Sequence, residues 1–179
     1  TQVGALSNTN FAALADTQVE ALTATQLTAV SATKIAAMTA TQTGALTSTQ
    51  IASLSTTQVR AFTNANLSAL DASQSAALTG AQIASLSTGQ INSLNATDVA
   101  DLTATQVAAM ATTQVKALTA TVVGDMTETQ VAAFTATQIA SLATGNVAGL
   151  AETQAAALTA GQVAAFTASQ IKELSETNL

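Results

Sequence analysis

The chain has 179 residues and a formal net charge of −6 at pH 7, and 48% of its residues are hydrophobic although only 2% are aromatic. Cysteine and histidine are absent, which excludes disulfides, thiolate nucleophiles and the commonest metal ligand and acid–base catalyst. The four basic residues, Lys34, Arg60, Lys116 and Lys172, are too few to neutralise the phosphates of a nucleic acid. We therefore expect no catalytic residues, no metal, no cofactor and no nucleic-acid partner.

Threonine, serine or glutamine interrupts every apolar run along the chain. A membrane-spanning helix needs about 20 predominantly apolar residues, so the sequence predicts no membrane span. The first residues also lack the basic and apolar segments of a signal peptide, and none is expected within this sequence.

Apolar residues recur every eight positions along the chain. One series runs from Leu6 to Leu174 and a second from Val3 to Leu179; we letter the octad a to h, with Leu6 at site a and Val3 at site f. Site a is apolar in all 22 octads, whereas site f is weaker at Thr43, Ser75 and Ala155. Site b is Ser or Thr in 16 of 22 octads and site e is Gln in 16 of 23, so the repeat is Leu-Thr-x-Thr-Gln-Val-x-Ala.

An eight-residue period fits neither a continuous helix nor a flat strand. A helix turns by about 100° per residue, so sites a and f rotate around its whole surface. Along a strand, sites five and three residues apart lie on opposite faces. A β-solenoid, with a turn in every octad, is the alternative, although glycine is sparse and proline absent.

The spacing of polar residues predicts one short helix in each octad. Thr at b with Gln at e is the capping box, in which the hydroxyl accepts from the N3 amide and the Gln reaches back to the N-cap amide. Leu at a and Val or Ile at f then form the hydrophobic staple. Four octads carry Ala at b, and there we expect the next residue to cap the helix one position late, with looser geometry at Glu152; these next residues are Asp16, Thr112, Thr144 and Glu152.

Helices this short are unstable alone in water, so successive turns must pack together around sites a and f. The predicted fold is all-α: a solenoid of about 22 very short helices that forms one continuous domain over residues 1–179 and is a section of a longer array. The small residues at sites d and h suggest close approach of neighbouring turns. The glutamines either form a ladder between turns as well as capping helices, or only cap them.

Two groups of side chains are candidates for binding. Asp98, Asp101, Asp125 and Glu128 suggest a cation site, but no calcium-loop glycine pattern surrounds them, so solvated surface charge is the favoured interpretation. The threonines of site d are the candidate surface-binding file, a flat uncharged row of a kind that binds ice; the alternative is that they serve only local packing and helix-end amides. This file consists of Thr9, Thr17, Thr25, Thr33, Thr41, Thr49 and Thr57.

The strings "LTATQVAAM" and "LTSTQIASL" resemble the octapeptide repeat arrays of long secreted or surface-attached bacterial proteins, including adhesin-like ones. The resemblance covers the whole chain, with Lys34 and Val122 as local departures at site e. It implies a non-enzymatic spacer or stalk, located outside the bacterial cell or at its surface, whose partners are neighbouring repeats or domains of the parent chain. An ice-binding or other flat-surface-binding protein is the alternative function.

Overall fold

The computed structural model describes residues 2–173, which form α-helices joined by short loops. Every one of the 22 helices in this range has four to six residues, and no strand occurs among the described residues. The all-α prediction is confirmed, and the β-solenoid alternative is wrong for this part of the chain. The helices are α1 (Gln2–Ala5), α2 (Asn8–Ala12), α3 (Asp16–Glu20), α4 (Ala24–Thr28), α5 (Ala32–Ala36), α6 (Ala40–Gly44), α7 (Ser48–Ser53), α8 (Thr56–Arg60), α9 (Asn64–Leu67), α10 (Ala72–Ala77), α11 (Gly80–Ser85), α12 (Thr88–Asn92), α13 (Ala96–Ala100), α14 (Ala104–Ala109), α15 (Thr112–Lys116), α16 (Ala120–Asp125), α17 (Glu128–Ala132), α18 (Ala136–Ser141), α19 (Thr144–Ala148), α20 (Glu152–Ala156), α21 (Ala160–Val163) and α22 (Ala168–Glu173).

From α2 to α22, each helix begins at site c, where the capping box predicts. In α17, Thr127 is the N-cap in extended conformation, with φ −70° and ψ 158°. Its hydroxyl accepts a hydrogen bond from the Gln130 amide at 3.2 Å, and its own amide donates to Gln130 Oε1 at 2.8 Å. Two of the N–H groups that a helix start leaves without a partner are thereby satisfied within one octad.

The prediction of late caps in the alanine octads is wrong. Ala15, Ala111, Ala143 and Ala151 are themselves the N-caps, and each following polar residue is the first residue of the helix. Ala151 keeps the usual extended conformation and donates to Gln154 Oε1 at 2.9 Å, so the octad of Glu152 is not looser either. The helix start therefore keeps its position without a hydroxyl at site b, and in α3, α15 and α20 the glutamine at site e still accepts from the N-cap amide.

Sites a and f form the core, as predicted. Site f is buried in every octad from Phe11 to Val147, and site a from Val30 to Leu150 except for the half-buried Leu94. Site e is a third buried file, from Lys34 to Gln170. The octad therefore buries two apolar side chains together with one amide, and this amide needs hydrogen-bond partners.

The chain divides between Leu86 and Ser87 into two compact units. Within each unit, helices pack most closely against the helix three places along the chain, such as α7 on α10 in the first unit and α15 on α18 in the second. Each unit is thus a solenoid of short helices. One continuous array over residues 1–179 stays a prediction.

The small residues at sites d and h have different environments. Site h is half-buried in every octad from Ala45 to Ala109, in agreement with close approach of neighbouring turns. Site d is exposed in every described octad, so the prediction of close approach is wrong there, and nothing in the structure limits side-chain volume at that site. Among residues 2–173, no helix has the length and apolar character needed to cross a membrane.

Candidate functional site

The buried glutamines of site e connect each helix to an earlier coil of the solenoid. Gln50 Oε1 accepts from the Thr47 amide at 2.6 Å, while its Nε2 donates to the carbonyl oxygens of Val19, Glu20 and Leu22 at 3.1, 3.0 and 2.6 Å. One side chain therefore caps its own helix and binds the end of another helix. We call this arrangement the glutamine joint.

The glutamine joint recurs in both units with a constant sequence spacing. Each donor lies 28 to 31 residues after its acceptors, at the end of the helix four places earlier, whereas the helices that pack on each other are three places apart. The ladder left open by the sequence is therefore formed by side chain to backbone bonds. The glutamines whose Nε2 donates to carbonyls of the earlier coil include Gln42, Gln50, Gln58, Gln74, Gln82, Gln130, Gln138, Gln154, Gln162 and Gln170.

One glutamine joint provides hydrogen-bond partners for backbone groups at two helix ends. The last carbonyl groups of a helix have no intrahelical donor, and a buried carbonyl without a partner costs about 1 to 3 kcal/mol. Gln130, only 3% exposed, donates to Val99, Ala100 and Leu102 at the end of α13, at 2.7, 3.3 and 2.6 Å. Helices of four to six residues consist largely of such ends. The joint therefore satisfies a large share of the backbone groups that these helices leave without an intrahelical partner.

Val122 stands at site e of α16 in place of glutamine, and an amide from another octad accepts from the amide of its N-cap. Asn92 Oδ1 accepts from the Thr119 amide at 3.1 Å, and Asn92 Nδ2 donates to the Ala117 carbonyl at 2.7 Å. Asn92 lies in α12, in the coil before. The sequence prediction missed Asn92, although it is the only amide side chain at any site g.

Two further departures from the repeat show other replacements. Asn66 makes the usual bond to a site a carbonyl, that of Met38 at 3.0 Å, and also donates to Thr43 Oγ1 at 2.9 Å, so the polar residue at site f is a further partner. Lys34 is 8% exposed and its Nζ donates to the Gly4 carbonyl at 2.7 Å. Both side chains direct an N–H donor toward the earlier coil, as the glutamines of site e do.

The seven candidate threonines are all exposed, and helix packing sorts them into groups. Helix α5 packs on both α2 and α8, α6 packs on α3, and α7 packs on α4. The helix pairs therefore associate Thr9 with Thr33 and Thr57, Thr17 with Thr41, and Thr25 with Thr49. Threonines one octad apart lie on helices that follow each other around a coil, whereas those three octads apart lie on packed helices.

The carboxylates proposed as a cation site lie in three different environments. Asp98 is buried at site e, where its Oδ2 accepts from the Asn95 amide at 3.0 Å, so its interpretation as solvated surface charge is wrong. Asp101 and Asp125 are half-buried, and Glu128 is exposed. Over residues 2–173, no group of three acidic, histidine or cysteine side chains is placed to hold a metal ion.

Two shallow depressions lie on the surface of the described residues. Glu20 and Asp71 line one of them together with Gln74 and the segment 44–48, and Arg60 lines the other with residues of α8 and α11. Comparison with protein-family models, curated proteins and solved structures finds no match to the chain.

Proposed function

We propose that the protein is a non-enzymatic structural repeat segment, a spacer or stalk within an extended bacterial extracellular or cell-surface protein. The observation that carries this proposal is the glutamine joint, which recurs with the same donor, acceptors and spacing in both units. Each octad makes its bonds to an equivalent octad of the earlier coil. The number of octads is then adjustable without changing the contacts of those that remain, which is the property a spacer needs.

The resemblance to adhesin-like octapeptide arrays supports the same proposal, and so does the chemistry of the surface. Sites b, c, d and g supply most of the exposed side chains, and these are mainly Thr, Ser, Ala and a few charged residues. The partners of such a segment are neighbouring repeats or domains of the parent chain.

Deletion of whole octads tests the proposal. We expect deletion of 135–142 to leave a folded protein with unchanged helicity per residue and a shorter dimension in small-angle scattering, because each joint re-forms with an equivalent octad. Deletion of 103–110 is the matched comparison, since it also moves Asn92 out of register with Ala117 and Thr119. This second variant should be less stable than the first by about 2 kcal/mol, the net contribution of two hydrogen bonds.

Loss of folding on deletion of 135–142 would contradict the spacer proposal, because it would show that octads are not interchangeable. Equal stability of the two deletion variants would contradict the role assigned to Asn92. Circular dichroism and urea denaturation measure both results on the same samples.

Ice or flat-surface binding is a second candidate function, favoured by the exposure of the site d threonines. No hydrogen bond from the hydroxyls of Thr33 or Thr57 is found within residues 2–173, so these groups face solvent. Thermal hysteresis tests this candidate, with T33K and T57K in one variant and A36K and A52K, at exposed g sites, in the control. Binding by the threonines predicts hysteresis that the first variant loses and the control keeps; absence of hysteresis in the unmodified protein rejects it.

A further inference from the structure

In most octads the glutamine joint gives no preference for one partner octad over the next. Gln50 donates to backbone carbonyls of sites f, g and a, which every octad offers, and the apolar residues of sites a and f recur in the same way. An alignment of coils that is shifted by one octad would therefore keep the same kinds of contact. Register is weakly specified where the contacts on either side are alike.

Thr43 and Asn66 form a contact that the neighbouring octads cannot offer. Thr43 is fully buried at site f of α6, and Asn66 is buried at site e of α9, which packs on α6. Asn66 Nδ2 donates to Thr43 Oγ1 at 2.9 Å, and this hydroxyl donates in turn to the Thr39 carbonyl at 3.0 Å. One octad to either side, site f is Ile35 or Ile51, and neither side chain can accept a hydrogen bond.

Asn92 forms a contact of the same kind in the second unit. Its Oδ1 accepts from the Thr119 amide, in the octad where the side chain of Val122 has no polar atom. The N-cap amides one octad to either side, those of Ala111 and Thr127, already donate to the glutamines of their own octads. A shift of one octad would therefore separate Asn92 from the Thr119 amide and offer neither group a replacement.

The sequence shows that a weak site f is accompanied by a short residue at site e. Each of the three weak f residues is followed 23 positions later by Asn or Asp, the spacing that separates Thr43 from Asn66. Among the site e residues that follow a larger apolar f residue at this spacing, only Asn146 is of that kind. Asn178 lies outside the described residues. The short residues are Asn66 after Thr43, Asp98 after Ser75 and Asn178 after Ala155.

We propose that matched departures from the repeat fix the register of the coils. Asn66 with Thr43 fixes it in the first unit, and Asn92 with Thr119 fixes it in the second. Each pair replaces a repeated contact by one that a single alignment completes, as a buried asparagine does in a coiled coil. The octads without such a pair stay interchangeable, and register selection does not depend on the proposed spacer role.

A distance between two spin labels tests the pair of the first unit. T41C and A65C, at exposed d sites of α6 and α9, introduce the only thiols of the chain. Pulsed electron paramagnetic resonance should give one distance in this labelled protein. T43V with N66Q restores the repeat in both octads, and it should keep the helicity but add a second distance in about a tenth of the molecules or more, shifted by roughly the 8 to 10 Å between packed helices.

A transplanted pair is the matched control. In the T43V/N66Q background, I35T with Q58N sets a threonine and an asparagine 23 residues apart on α5 and α8, which pack on each other. It should lower the fraction of the second distance at least about twofold, because one alignment again completes a contact that the others lack. I51T with Q58N introduces the same residue types in consecutive octads and should not lower it.

The second unit provides an independent variant. N92A with V122Q restores the repeat there, and labels at T97C and T121C, on exposed d sites of α13 and α16, report the register. This variant should also add a second distance that the labelled protein without N92A and V122Q lacks. Circular dichroism verifies that each labelled variant keeps its helicity.

Three results would overturn the proposal. The first is a single, unchanged distance in helical T43V/N66Q and N92A/V122Q variants, which would show that the repeated contacts alone select the register. The second is an equal effect of the matched and mismatched transplants on the second distance. The third is a second distance of the same population in the labelled proteins that retain the pairs.

Discussion

In two consecutive octads of the second unit, the N-cap amide donates to side-chain amides that come from different coils. In the octad 127–134, Gln130 reaches from its own helix to the coil before it, accepting from Thr127 and donating to three carbonyls. In the octad 119–126, Val122 occupies site e, and Asn92 reaches from the earlier coil to Thr119 and Ala117. The amide side chain thus belongs to the later coil in the first octad and to the earlier coil in the second.

The comparison shows that the N-cap amide needs a side-chain acceptor, and that this acceptor can come from more than one site of the repeat. Val122 is buried and makes no polar bond with its side chain, so the Thr119 amide requires an acceptor from elsewhere. Asn92 supplies both an acceptor and a donor, as a glutamine at site e does. At this departure from the repeat, a second residue supplies the acceptor that the helix start requires.

The largest expected effect is on the octad with the standard joint. Q130M keeps the length and buried volume of the side chain but removes the acceptor for Thr127 and the donor to the Val99, Ala100 and Leu102 carbonyls. We expect a loss of about 3 kcal/mol in the free energy of unfolding, because these buried groups lose their partners. Urea denaturation followed by far-ultraviolet circular dichroism measures it.

The matched control for Q130M is T129A, one residue away at an exposed d site. Its effect should lie within about 0.5 kcal/mol of zero, as for most surface substitutions. If Q130M costs no more than T129A, the joint does not stabilise the fold.

A smaller effect is expected for the replacement joint. N92A should cost about 2 kcal/mol, since it removes two hydrogen bonds of which one partner is a backbone amide at a helix start. In a V122Q background the new glutamine can cap Thr119 itself, and N92A should then cost clearly less. The double-mutant cycle should give a coupling of about 1 kcal/mol; additive effects would mean that Asn92 and residue 122 do not substitute for each other.

The smallest effect concerns the hydroxyl at site b. T127A removes one cap bond and should cost about 1 kcal/mol, leaving the glutamine half of the capping box in place. Ala151 already has that arrangement, so A151T should stabilise the protein by up to about 1 kcal/mol. Thermal unfolding of the two variants should shift in opposite directions, and shifts in the same direction would refute this assignment.

Much of the fold could be predicted because the same local chemistry recurs in every octad. The capping box at sites b and e indicates where helices start, and the apolar residues at a and f indicate the core. These signals act within one octad and need no knowledge of the partner coil. The late caps at Asp16 and Thr112 were wrong because the side chain at b was given more weight than the backbone and the Gln at e.

The contacts between coils could not be predicted from such local signals. The number of octads in a coil depends on how helices pack, so the sequence does not show that Gln50 meets Val19 and Leu22. The role of Asn92 depends on the same spacing, since its partners lie 25 and 27 residues later. Burial of Asp98 likewise follows from its place at site e, which the sequence did not identify as an interior site.

Hydrogen exchange of the glutamine side-chain amides tests the central claim most directly, namely that Nε2 of site e binds the carbonyls of the coil before. In assigned NMR spectra of the protein at low concentration, the Nε2 protons of Gln130, Gln138 and Gln154 should exchange slowly, whereas those of Gln18 and Gln26 in the first coil should exchange at the rate of solvated amides. Equally fast exchange at all five residues would contradict the claim.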